Sequence, residues 1–237
     1  MTADPIGGGM DLLARALRYP FPAPDRSISL RDGLQTPLDP SRARWQGRRA
    51  ILAYGANAAP EALALKLGLD AHLDLLRGTL HGFDVVYSAH LSAYGAIPST
   101  LRRSSGTSIA AYVLLLSDDQ LARLHTTEPN YKFVALSGLE ITIHGLEHDA
   151  GPQLRLDGAY VSRHGSLAVA GRELAVQAIP ARQRRLPAAG ERDALKLARD
   201  RLAPGIGLAE FVAIAVSDAE QRDQWTAALR RDAIAAP

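Results

Sequence analysis

The stretch Ala50-Ile51-Leu52-Ala53-Tyr54-Gly55-Ala56-Asn57 constrains the fold most, because an unbroken apolar run there meets a glycine. It reads as a buried-type strand running into a tight turn. Pro60 and Glu61 follow, and both favour the first turn of a helix. Strand, glycine turn and helix start together aim several backbone N–H groups at one point, which suits a carboxylate or an oxyanion. Further on, Leu124-His125-Thr126-Thr127-Glu128-Pro129-Asn130-Tyr131 places a carboxylate at a constrained helix end. An anion cradle with one placed acid predicts proton-transfer chemistry on a small acidic substrate.

The chain has 237 residues, 47% of them hydrophobic, enough for one substantial core with extra elements at its ends. Aromatic residues are only 5%, which argues against stacking platforms for single-stranded nucleic acid. A net charge of +2 is a mild basic excess and indicates no nucleic-acid partner. The absence of cysteine excludes disulfides, thiolate nucleophiles and Cys-based metal sites. Met1-Thr2-Ala3-Asp4-Pro5 has neither the basic nor the apolar region of a secretory signal. The apolar run over 211–216 falls far short of the ~20 residues that span a membrane. The expectation is a soluble, cytoplasmic protein with no membrane partner.

Residues 1–47 read as a Pro/Gly-rich N-terminal extension. Gly7-Gly8-Gly9 and the prolines at 20, 22, 24, 37 and 40 interrupt regular structure there. One short helix is expected over 10–17, where Leu12, Leu13 and Leu17 share a face. The triple glycine lacks the Gly-Lys-Ser/Thr ending of a phosphate loop and reads as linker. Residues 48–205 form the main domain, with strand-like runs at 50–54, 83–88, 108–116, 131–136, 139–143, 159–161 and 174–179. Its helices are short: 60–67, ended by Gly68, and 118–127, opened by the capping-box spacing Ser117-Asp118-Asp119-Gln120. After Pro187 the pattern turns helical over 191–202, 208–216 and 218–234, so that residues 206–237 form a C-terminal helical segment. Trp225 and Leu229 stand there at helical spacing, a docking face that leaves self-association open. Strands outnumber helices and follow one another directly, which predicts α+β class with a largely antiparallel or barrel-like sheet.

Glu128 is the strongest catalytic candidate. A residue before proline is pushed out of the α region, so Pro129 ends the helix at or beside Glu128 and fixes the corner from which its side chain projects. The apolar run 131–136 stands directly behind it. A carboxylate held against apolar walls at a fixed corner is suited to proton transfer.

Together the two motifs resemble a known family. Tyr54-Gly55-Ala56-Asn57 is similar to the Tyr-Gly-Ser-Asn signature of the γ-glutamylcyclotransferases and their AIG2-like relatives. Leu124-His125-x-x-Glu128-Pro129-x-Tyr131 is similar to their Leu-Asp-x-x-Glu-Gly…Tyr segment. Between these, Tyr94-Gly95-Ala96-Ile97-Pro98 and 106–113 resemble the family's strand pair, and the likeness covers roughly residues 48–205. The resemblance implies a compact mixed barrel with flanking helices and a pocket where the glycine turn faces the acid. It implies that Glu128 is the general acid/base for a γ-glutamyl substrate whose α-amine attacks its own γ-carbonyl. The products are 5-oxoproline and an amine or amino acid. The backbone of Tyr54, Gly55 and Ala56 would hold the substrate's carboxylate or oxyanion. Asn57 would brace the turn, and Tyr131 would line the substrate site. No cofactor or metal is required. Ala56 stands where the family has Ser, His125 where it has Asp, and Pro129 where it has Gly.

Two other readings stand beside this one: a binding or regulatory module on the same fold, and an amide hydrolase using the same acid on water. Other signatures fail. His144-Gly145-Leu146-Glu147-His148 spells an inverted zinc-protease pattern, but that pattern needs a helix, and Gly145 with Asp149-Ala150-Gly151-Pro152 reads as turn. Gly106-Thr107-Ser108-Ile109-Ala110 lacks the second glycine of a nucleophile elbow. Arg102-Arg103 and Arg182-Gln183-Arg184-Arg185 read as solvated loop charge, while His81, Tyr87 and His90 read as packing or surface residues.

Overall fold

A computed structural model describes residues 11–135, 139, 141–146 and 156–235. Among them are six helices: α1 (Leu12–Ala16), α2 (Pro60–Leu67), α3 (Asp118–Thr126), α4 (Glu191–Leu202), α5 (Leu208–Ser217) and α6 (Ala219–Arg230). The longer strands are β1 (Ile28–Arg31), β2 (Leu34–Pro37), β3 (Arg49–Ala53), β4 (Leu73–Tyr87), β5 (Ser99–Leu116), β6 (Tyr131–Val134), β7 (Ile141–Ile143) and β8 (Gly158–Ser162). None of the described helices is long and apolar enough to cross a membrane.

The α+β, largely antiparallel expectation is met, but the expected closed barrel is not found among the described residues. The main sheet runs Ala188–Ala189, Ala175–Val176, β4, β5, β3, β8, β6 and is open at both ends. Among the described residues only β3 with β8, and the two-residue pair at Ala175 and Ala188, run parallel. The long antiparallel pair β4 and β5 forms a spine whose outer edges are covered in pieces. Along β4 the partners are β1 at Leu73–Leu75, β7 at Gly78–Leu80 and Ala175 at Val86. Along β5 they are β3 at Tyr112–Leu116 and Ala181–Arg182 at Ser108–Ile109. Closure would need a full-length ladder, and the strand at one end is two residues long between Pro187 and Gly190.

The all-apolar run at β3 has a physical reason, because the sheet is covered on both faces. Ala50 and Leu52 join one core, with Val113, Leu115 and Leu76 from its neighbours. Ile51 and Ala53 join the other, with Leu75, Leu114 and Leu116. The first face carries α4, α5 and α6 through Leu195, Phe211, Val212, Trp225 and Leu229. Phe211 and Trp225 stack with centroids 4.5 Å apart, worth about 0.5–1.5 kcal/mol beyond area burial. The face bearing Trp225 and Leu229 is thus buried within its own chain. The second face carries α2 and α3 through Leu63, Leu67 and Leu124.

Residues 11–47, read as an extension, are woven into the same structure. β1 pairs with both β2 and β4, α1 packs on α5, and the buried Tyr19 hydroxyl donates to Ser99 Oγ at 2.6 Å. The triple glycine lies outside the described residues, as do Glu147 and His148 of the zinc-like pattern.

Helix boundaries follow their local chemistry. Gly68, at φ +98°, ends α2 where expected. The capping box of α3 is formed: Gln120 N donates to Ser117 Oγ at 3.2 Å and Ser117 N donates to Gln120 Oε1 at 2.9 Å. Ser117→Ala is expected to lower stability by about 1 kcal/mol, read as a fall in the urea midpoint at unchanged m-value. An unchanged midpoint would show that tertiary packing alone fixes the start of α3.

Candidate functional site

β3 delivers Tyr54 to the start of a 3₁₀ turn, Gly55–Ala58, which passes into α2 at Pro60. No side chain caps either helical start, so neither helical N-terminus uses a side-chain acceptor. α3 ends nearby. Thr126 and Thr127 donate from their hydroxyls to the Arg123 and Leu124 carbonyls, and Glu128 N donates to the His125 carbonyl. Tyr131 N then donates to the Glu128 carbonyl at 3.1 Å, closing a four-residue turn with Pro129 second, where proline's fixed φ fits best. Pro129 therefore fixes this corner.

The two segments face one cavity of about 380 Å³, lined by Tyr54, Ala56, Asn57, Glu128, Pro129 and Tyr131 among others. Glu128 is 8% exposed. Asn57 Nδ2 donates to Glu128 Oε1 at 2.8 Å, and Lys66 Nζ donates to the same oxygen at 2.6 Å. Lys66 Nζ also reaches Asn57 Oδ1 at 2.7 Å, so the three side chains form a closed triangle. Both donors meet on Oε1, and among the described residues none is hydrogen-bonded to Oε2. Asn57, expected to brace its own turn, is instead spent on the carboxylate and the lysine.

Tyr54 and Tyr131 present their rings to the cavity while their hydroxyls serve the scaffold. Tyr54 Oη donates to the Tyr160 carbonyl and accepts from Leu101 N, and Tyr131 Oη donates to the Ser99 carbonyl at 3.0 Å. Burial pushes the phenols of Tyr19, Tyr54, Tyr94, Tyr131 and Tyr160 above their ordinary range, so these walls carry no charge at neutral pH. Gly55 does not line this cavity. It borders a second hollow and backs onto Ser99 and Tyr19. Its expected contact with substrate is corrected: the bend brings Ala56 and Asn57 to the cavity and turns Gly55 away. His125 is exposed and accepts or donates at Nδ1 with Tyr160 Oη, 2.8 Å away, outside the cavity lining.

Reading the sequence missed Lys66, His90 and the N-terminal residues Arg15, Tyr19 and Phe21, all of which line the cavity. Lys66 had a signal. It sits four residues after Ala62 on one helix face, and Ala62 is buried, so the lysine stem had to run along covered surface. Among the described residues no group of three or more His, Asp or Glu side chains could hold a metal ion.

His90 is 1% exposed, with its ring 4.7 Å from the ring of His164 and edge-on to Tyr131. Burial, with the neighbouring His164, pushes its pKa down from the ordinary 6.5 to about 3. The unfolded chain therefore takes up a proton below pH 6.5 that native His90 refuses until about pH 3. Stability supplied by the neutral ring is complete above pH 6.5 and falls as the pH drops toward 3. Urea midpoints between pH 7 and pH 4.5 should decline more steeply for the wild type than for His90→Asn; parallel lines would contradict this.

Compared with protein-family models, with curated proteins and with solved structures, the chain gives no match.

Proposed function

We propose that this chain is a γ-glutamylcyclotransferase-type enzyme of the AIG2-like kind, with Glu128 as general acid/base. The observation that carries the proposal is the buried Glu128 carboxylate, pinned through Oε1 by Asn57 and Lys66 at the wall of a cavity sized for a small molecule. The lysine and the amide donor both engage one oxygen, which leaves the other oxygen to accept the proton. The α-carboxylate of a γ-glutamyl substrate fits the uncapped turn at Ala56 and Asn57.

In this reading Glu128 takes a proton from the substrate's α-ammonium. The freed amine attacks the γ-carbonyl carbon, forming the ring C–N bond while the π pair moves to oxygen. Collapse of that intermediate breaks the old C–N bond, and the departing nitrogen receives its protons through Glu128. Two protons in all pass from the attacking nitrogen to the leaving one, so the amine departs as its ammonium ion. Nucleophile and electrophile belong to one molecule, so the protein supplies mainly a folded conformer and proton transfer. No cofactor is called for.

The test is release of 5-oxoproline from glutathione, γ-glutamyl amino acids and γ-glutamyl amines. Its formation from any of them supports the proposal, and open-chain glutamate as the product would instead identify an amide hydrolase. No product of either kind would favour a binding module. Against that module stands the cavity itself: Arg15, Tyr19 and Phe21 of the N-terminal segment wall it without filling it.

A further inference from the structure

His90 lines the cavity that holds Glu128, yet the proton transfer above does not use it. Its position is fixed from several sides. His90 N donates to the Ser88 carbonyl at 2.9 Å, Ala89 N to Gly165 and Leu91 N to Thr226 Oγ1. The ring is clamped between His164 and Tyr131. Nδ1 is turned away from the cavity, to Ser88 Oγ at 2.7 Å, and Ser88 Oγ lies 2.6 Å from Ser162 Oγ.

Counting donors along this chain decides where the imidazole proton resides. Ser162 Oγ accepts from His164 N at 3.0 Å. If Ser162 donates to Ser88 and Ser88 donates to Nδ1, every hydroxyl proton has an acceptor. If Nδ1 instead carried the proton and donated to Ser88, one buried serine hydroxyl would be left without an acceptor among the described residues. An unmade buried hydrogen bond is costly, so Nδ1 accepts and Nε2 holds the proton. Nε2 is the polar edge of the ring left for the cavity, and among the described residues it is not hydrogen-bonded.

We propose that His90 is a catalytic electrophile, its Nε2–H donating to the γ-carbonyl oxygen of the bound substrate and holding the negative charge that develops there. This inference rests on the cyclotransferase reading and adds to it the group that meets the oxyanion. As the amine nitrogen adds to the carbonyl carbon, the carbonyl π pair moves onto oxygen, and the N–H···O bond shortens without transferring its proton. When the pair returns and the leaving C–N bond breaks, the bond relaxes. A preorganised N–H in a cavity walled largely by aromatic and aliphatic side chains is worth more to the charged intermediate than to the neutral carbonyl, so the effect falls on kcat.

The test has two arms. Long-range proton–nitrogen NMR of the full-length wild type should find the His90 proton on Nε2; a proton on Nδ1 overturns the inference. In steady-state 5-oxoproline release, His90→Leu should lose about 10²–10³ in kcat with KM nearly unchanged, and His90→Gln, which offers an amide N–H, should recover at least about tenfold over it. Wild-type turnover matched by His90→Leu overturns this inference and leaves the cyclotransferase reading standing. A wild type that releases no 5-oxoproline overturns that reading, and this inference with it. If His90→Leu does not fold, the NMR arm and His90→Gln still decide.

Discussion

Glu128→Gln is expected to lower kcat for 5-oxoproline release by about 10²–10⁴-fold, the range for loss of a positioned general acid/base. KM should change far less, because glutamine keeps the Oε1 acceptor for Asn57 and Lys66 and loses only the proton-accepting oxygen. Folding should survive. The Lys66 ammonium is partly solvated, with a side chain 21% exposed, and loses a pairing partner without becoming a sealed charge. Turnover counted against a matched thermal unfolding curve checks both statements. A folded Glu128→Gln that works at the wild-type rate removes the acid from the mechanism.

Gly55→Ala should cost about 3–5 kcal/mol. The residue sits at φ +58°, where a side chain costs about 1–2 kcal/mol. An added Cβ would also sit on the Ser99 hydroxyl and 2.8 Å from the Tyr19 hydroxyl, forcing apart the bond between them. Ser99 N donates to the same Tyr19 oxygen at 2.7 Å, so the displaced group would leave two partners unmet. Gly82→Ala is the control: its φ is +77°, but nothing lies within 4 Å of the new atom. It should cost only the backbone term. Equal urea midpoints for the two variants would show that crowding at Gly55 is relieved.

Local signals carried the sequence reading a long way. The capping box at Ser117, the stop at Gly68 and the proline corner after Glu128 act within a few residues, and the structure has all three. The union of Asn57 with Glu128, across 71 residues, was approached only through the paired motifs. The misses are tertiary in origin. Strand β4 was read from residue 83 onward. Its first half, Leu73-Asp74-Leu75-Leu76-Arg77-Gly78, mixes charge and glycine into the run, and three separate partners rather than local propensity hold it extended. His90 looked like packing because its role depends on Ser88, Ser162 and His164 arriving together from distant segments. Prolines disguised residues 11–47 as a tail, although Tyr19 anchors them beneath the turn at Gly55.

The parallel pairing of β3 with β8 has a consequence for how the chain emerges during synthesis. Ala50 donates its backbone N–H to Asp157, 107 residues later, and Leu52 is registered with Ala159. Strand β3 must therefore wait, one margin bare, until the chain has been made through about residue 159. Nascent molecules stalled before residue 156 should present that margin to chaperones or to each other, and long-range pairings of this kind place folding among the slower topologies.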